Sequence, residues 1–395
     1  MHTFSLYIHV PFCFKKCNYC NFYSSTDLTR IDDYLLALQK EIEHYCLLFP
    51  PPEFILKSIY FGGGTPSVLQ SLSIEYILSI LKKKWNRLPE AQISFEINPG
   101  TVSSQKLSDL RRMGINRLSV GVQSFCDKDL LMLQRLHSKK DAETVIKQAR
   151  LAGFSDVGID LIFAIPGQTM KTWKSNLSRS LSLNPDHISV YGLTIEEETP
   201  LFQALRKNKV MPCDEELERE MYIYAAGTLK NAGYEHYEIS NFALPGKESV
   251  HNQNYWQKNP YLGIGPAAHS FDGLRRCWNI ADINRYTNRL HCDQSPLESC
   301  EQPSTNQQKI ETIFLGLRQK SGIDLQRWKE SYAQDLLQSL QPLSKNWNGL
   351  DDSTPPFSLS ENNRCLSHNG NSLYLTLNGL LLYDTICSEI VSFLL

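Results

Sequence analysis

The segment Cys13-Phe-Lys-Lys-Cys17-Asn-Tyr-Cys20 gathers three thiols on one short stretch. Thiolates are the usual ligands of iron–sulfur centres. A [4Fe–4S] cluster held by three of them keeps one iron open, and that iron can chelate the amino and carboxylate groups of a small molecule. The competing reading is a structural zinc site. It needs four ligands, commonly in two separated pairs, and no second Cys/His pair stands at such spacing. The remaining cysteines (Cys46, Cys126, Cys213, Cys277, Cys292, Cys300, Cys365 and Cys387) are scattered and read as small buried hydrophobes. Eleven is an odd total, and the sequence shows no export signal, so reduced thiols are expected rather than a disulfide framework.

Other residues could serve a ligand beside those thiols. Gly62-Gly63-Gly64-Thr65-Pro66 would let backbone groups approach a ligand closely, although such a run is also an ordinary strand-to-helix turn. Glu96, Gln123, Asp160 and Thr194 are polar residues on or just after apolar β-type runs, and Arg135 follows Gln123 within one helix. Alone, each has a plain structural use as a cap or ion-pair partner. His251-Asn-Gln-Asn-Tyr255-Trp256 sets an imidazole, a candidate axial ligand for heme iron, beside two rings able to stack on a porphyrin face. A satisfied core histidine among core aromatics is the competing reading, and His9 and His269 are alternative ligands.

The elements that must position these residues alternate in type. Strand patterns at Phe4–Val10, Lys57–Phe61, Gln92–Ile97, Arg117–Val122, Asp156–Phe163 and His187–Leu193 alternate with amphipathic stretches at Arg30–Cys46, Ile74–Trp85, Gln105–Met113, Ala142–Ala152 and Trp173–Leu183. Gly114 and Gly153 stand where helix C-caps belong. Six βα units predict an α/β fold with a parallel sheet curled into an incomplete (βα)6 barrel, with its chemistry at the C-terminal strand ends. Beyond a helix at Asp214–Ala232, Tyr234–Phe242 reads as one strand and residues 292–306 as a polar linker. The segment from about 301 begins with a helix near Gln308–Arg318, whose apolar stripe reads as core packing, and 347–363 reads as a loop.

With these motifs in this order, the chain resembles the radical S-adenosylmethionine (SAM) superfamily. Tyr7-Ile-His-Val-Pro-Phe-Cys13 narrows the likeness to the oxygen-independent coproporphyrinogen III oxidase family, over roughly the first 270 residues. The resemblance implies that Cys13, Cys17 and Cys20 hold a [4Fe–4S] cluster, and that an electron passed through it cleaves SAM to a 5′-deoxyadenosyl radical. It implies that Tyr7, Tyr19, Gly63, Gly64, Thr65, Glu96, Gln123, Arg135 and Asp160 contact SAM, with Thr194 a weaker candidate. Two features turn the expectation toward the heme-chaperone branch of the family. Position 22 is Phe where the oxidase has a fourth cysteine, and the first strand starts at Phe4 with no N-terminal extension. The HNxxYW pattern, associated with heme in that branch, assigns His251, Tyr255 and Trp256 to heme. Ala164 departs from the family, which more usually has glycine there, and that puts the local backbone geometry in question.

The expected function is therefore a heme chaperone with cluster, SAM and heme. Its implied partners are apo-heme proteins, including membrane-bound respiratory enzymes, and an electron donor. The alternatives are a true oxidase, decarboxylating two propionates of coproporphyrinogen III, and a binding protein without radical chemistry. Three parts are expected: a radical SAM core over 1–233, a family-specific segment over 234–300, and a winged-helix-like α+β module over 301–395. With 40 Lys+Arg against 42 Asp+Glu, the net charge of −2 argues against nucleic acid as a partner. No run approaches the ~18 apolar residues of a spanning helix, and no room is left for a signal peptide, so a cytoplasmic location is expected, with membranes reached only through partners.

Overall fold

The computed structural model describes residues 2–48, 50, 53–351, 354–358 and 363–395. It divides into two compact units. One comprises the chain through Ala225 with Ser249–Asn254 and Asn259–Glu301; the other comprises Ala226–Glu248, Tyr255–Lys258 and Gln302–Leu395. The segment 234–300 is shared between them.

The strands are β1 (His2–Val10), β2 (Phe54–Gly63), β3 (Asn86–Ile97), β4 (Arg117–Gln123), β5 (Val157–Phe163), β6 (His187–Gly192), β7 (Glu235–Glu238), β8 (Asn241–Ala243), β9 (Tyr261–Ile264), β10 (His269–Phe271), β11 (Arg276–Asn279) and β12 (Leu297–Glu301). In the first unit β1 to β6 lie side by side in chain order, each pair parallel, as six βα units require. β9 joins the free side of β1 in parallel, and β10, β11 and β12 extend it antiparallel. Helices Ile31–Leu48, Ser71–Lys84, Ser104–Arg112, Lys139–Leu151 and Met170–Ser182 fill the crossovers. Ser103, Ser138 and Thr169 cap the last three through side-chain oxygens. Gly114 and Gly153 follow their helices at φ 96° and 89°, as the sequence predicts.

The barrel strands are apolar on their outer face and lie under helices. Leu6, Ile8, Phe61, Phe95, Leu118, Val120, Ile159 and Val190 are buried, each contributing about 1.5–3 kcal/mol of apolar transfer.

Four expectations are corrected, the fourth in the second unit. Tyr234–Phe242 is a hairpin, β7 and β8 paired antiparallel around Ile239 and Ser240. The polar linker contains β12, an exposed edge strand whose sequence is polar because little of it is covered. Cys277 and Cys300 face each other across β11 and β12 and form a disulfide, so these two are not reduced, buried thiols.

The second unit holds the β7–β8 hairpin, helix Thr305–Leu317, and short strands Ile323–Asp324, Leu350–Asp351, Leu366–His368 and Ser372–Leu375 in one small sheet. Helix Tyr383–Leu394 ends it, giving the α+β module. Of the loop expected over 347–363, residues 352, 353 and 359–362 lie outside the described residues. In the rest, Leu350–Asp351 is a short strand rather than loop. Among the described residues no helix is long and apolar enough to cross a membrane.

Candidate functional site

Pro11 ends β1 and the thiol loop follows. Its two ends are closed on each other: Ser25 N–H donates to Pro11 O (2.6 Å) and Cys13 N–H donates to Ser25 O (3.0 Å). The glycine turn after β2 is docked on the same strand end, with Gly64 N–H on Val10 O and Thr65 N–H on Phe12 O, both at 2.8 Å. A Cβ at Gly64 would stand 2.8 Å from Phe12 O and 2.9 Å from Val10 O, so only glycine lets the two loops meet this closely.

At the C-terminal ends of the parallel strands lies a cavity of about 650 Å³. Cys13, Cys17 and Cys20 line it together with Tyr19, Gly63, Gly64, Thr65, Glu96, Gln123, Arg135, Asp160 and Thr194. Of the residues assigned to SAM, Tyr7 does not border the cavity; its half-buried ring is stacked on Tyr60, which does, at 6.3 Å. Cys13 Sγ meets Thr65 Oγ1 at 3.4 Å, and Cys17 Sγ receives Arg135 Nη1 at 3.4 Å. Arg135 also donates to Gly121 O (3.1 Å) and to Asn98, whose amide donates to Thr65 Oγ1 (2.9 Å). Among the described residues no three His, Cys, Asp or Glu side chains converge as they would on a single ion. Three thiols along one cavity wall are the donor set of a cluster in which each thiolate takes a different iron.

Burial dominates the electrostatics. Glu96 is held by Tyr60 OH (2.7 Å), yet burial raises its carboxyl to about 7; the Tyr60 hydrogen bond and Arg117 oppose the rise and Asp160 adds to it. Burial likewise raises Asp160, against hydrogen bonds from Ser189 and Ser119. Burial raises the Cys13 and Cys20 thiols. Arg135 Nε is buried and without a hydrogen-bond partner, although its side chain borders the cavity. An unpaired donor in such a wall fits a ligand that brings oxygen atoms. The thiols, the glycine turn and this donor therefore fit an iron–sulfur cluster with a polar small molecule beside it.

Tyr60, Asn98, Arg117, Ser119, His187, Ser189 and Asn252 also line the cavity and were not singled out from sequence. The signal was present in the alternation of the strands. Arg117, Ser119, Gly121 and Gln123 follow one face of β4 at period two, as His187, Ser189 and Tyr191 do on β6. Gln123 sits at φ 64° and Ala164 at φ 57°. Ala164 thus occupies a left-handed position where glycine would be unstrained, so the departure noted in the sequence falls on strained backbone.

The heme residues are placed differently. Helix Val250–Trp256 starts with Val250 N–H on Gln92 Oε1 (3.0 Å). His251 and Asn254, three residues apart, turn inward and are buried. Tyr255 and Trp256 are half-buried and belong to the second unit, where the Arg318 guanidinium covers the Trp256 ring at 3.8 Å and binds Glu238 at 2.8 Å. Of the alternative ligands, His9 has its ring nitrogens at Tyr7 OH (3.1 Å) and Tyr23 O (3.0 Å), and His269 is stacked on Trp278.

Comparison with known proteins agrees with this geometry. The model of the Radical SAM superfamily matches residues 7–178, and that of the HemN C-terminal domain matches 306–382. The heme chaperone HemW of Bacillus subtilis is 35% identical over 84% of this chain and 88% of its own length. HemW of Escherichia coli is 37% identical over 67% and 69%. A zebrafish protein, radical S-adenosyl methionine domain-containing protein 1, mitochondrial, is 32% identical over 98% and 86%. Among solved structures, coproporphyrinogen III oxidase (HemN) from Escherichia coli superposes with a TM-score of 0.82 at 23% identity, covering all of this chain and 91% of that one, which is a likeness of fold. A thiol loop and glycine turn at the mouth of a six-stranded parallel barrel, with relatives alike over most of their length, make this chain a member of the HemW family within the radical SAM superfamily.

Proposed function

We propose that this protein is a heme chaperone: it binds heme, carries a [4Fe–4S] cluster and SAM, and hands heme to apo-proteins. The observation that carries the reading is the similarity to proteins named heme chaperone HemW over more than four-fifths of the chain. Cys13, Cys17 and Cys20 hold the cluster, and the cavity beside them takes SAM. When bound, that pair supplies one-electron cleavage of a carbon–sulfur bond. The chain's own part is positional. Arg135 offers Nε to ligand oxygens and steadies the Cys17 sulfur, while Glu96 and Asp160 offer carboxylates from the strand ends.

For heme, the half-buried Tyr255 and Trp256 offer ring faces. The acceptors in this reading include membrane-bound respiratory enzymes met from the cytoplasm, and an electron donor serves the cluster.

The test is a paired assay on anaerobically reconstituted protein. Heme added to the protein should give a Soret band that survives desalting. Coproporphyrinogen III with SAM and reductant should stay unchanged. Protoporphyrinogen IX in the second arm would instead make the protein an oxidase, and loss of the Soret band on desalting would remove the heme reading.

A further inference from the structure

Behind the cavity wall runs a chain of buried polar side chains that ends in the HNxxYW helix. Ser58 donates to Ser5 Oγ at 2.8 Å and meets His251 Nδ1 at 2.9 Å. The His251 ring lies on Tyr60, with centroids 5.1 Å apart and planes 28° apart, and tilts against Tyr7 at 6.3 Å. Tyr60 OH donates to Glu96 Oε1, and both residues border the cavity. The next residue in the helix, Asn252, borders it directly.

An axial heme ligand must bring a ring nitrogen to an open face. His251 is 1% exposed, and Ser58, Tyr60 and Tyr7 surround it from the first two barrel strands. Burial, with Arg117 nearby, lowers its pKa to about 3, so the ring stays neutral and packs as an aromatic.

We propose that His251 is a positioning residue of the SAM cavity rather than a heme ligand: its ring fixes Tyr60, and Tyr60 fixes the Glu96 carboxyl that faces SAM. This rests on the reading of the cavity as the SAM site. The motif then joins two tasks in one helix, with His251 and Asn252 serving the cavity and Tyr255 and Trp256 left for heme.

The test compares wild type, His251→Ala and His251→Phe, each cluster-loaded under anaerobic conditions, by equilibrium binding of SAM and by heme retention. Phe keeps a ring against Tyr60 and carries no nitrogen. The expected result is SAM binding weakened about tenfold in His251→Ala and kept within about threefold in His251→Phe. All three proteins should retain the Soret band. Two results would overturn the proposal: SAM binding by His251→Ala as tight as wild type, or a His251→Phe protein that binds SAM and loses heme. Wild-type protein that takes up the cluster and binds no SAM would overturn the cavity reading itself, and the role of His251 with it.

Discussion

Glu96 is the side chain on which most of the cavity's pH dependence rests. Tyr60 from β2, Arg117 from β4 and Asp160 from β5 face it, and its burial raises the folded carboxyl to about 7. A raised carboxyl binds its proton more tightly in the folded chain than in the unfolded one. It therefore lowers stability as pH climbs from about 4.5 to about 7, and adds no slope above that. Protein free of cluster and SAM should lose stability over that window, by up to ~3 kcal/mol from this group. Glu96→Gln should flatten the fall when denaturant midpoints are measured across pH. Some slope will remain, because Glu41, buried beside Tyr286 and Asn279, is also raised to about 7 by its burial. An unchanged profile in Glu96→Gln would show that the carboxyl is not held protonated.

Elements bring these residues together, and here the sequence was legible in part. The thiol loop, the glycine turn and the strand ends could be read because a βα repeat puts successive strand ends on one side. Arg117, Ser119, His187 and Ser189 sit deeper on the same strands, and a reading confined to strand ends passed over them. β12 was missed because an exposed edge strand carries polar residues, like a linker. The Cys277–Cys300 pairing was missed because the two residues lie 23 positions apart and only the β11–β12 register brings them opposite. His251 read as a candidate heme ligand, with a buried core histidine as the competing reading, because spacing shows which residues share a helix and not which face is covered. The most constrained junction is the meeting of the thiol loop and the glycine turn. Gly64→Ala should cost about 1–3 kcal/mol of stability, since the added carbon meets two backbone carbonyls that have no room to yield. It should also lower iron retained after anaerobic reconstitution. Wild-type iron content and midpoint in that variant would mean that the two loops are not held this closely.

At the scale of the whole molecule, the HNxxYW helix is the notable feature, because its residues are divided between the two units while the barrel keeps the cavity complete. In the proposed function the first unit holds cluster and SAM by itself, through its thiol loop, glycine turn and strand-end residues. Heme is assigned through relatives and through Tyr255 and Trp256, so delivery of heme is the claim that most needs direct proof. The most direct measurement mixes heme-loaded, cluster-reconstituted protein with an apo-heme protein whose bound Soret band is distinct, and follows both bands after the two proteins are separated. The account predicts that the band leaves this chain and appears in the acceptor, while coproporphyrinogen III under the same conditions stays intact. Heme that never leaves the chain, or formation of protoporphyrinogen IX, would contradict it.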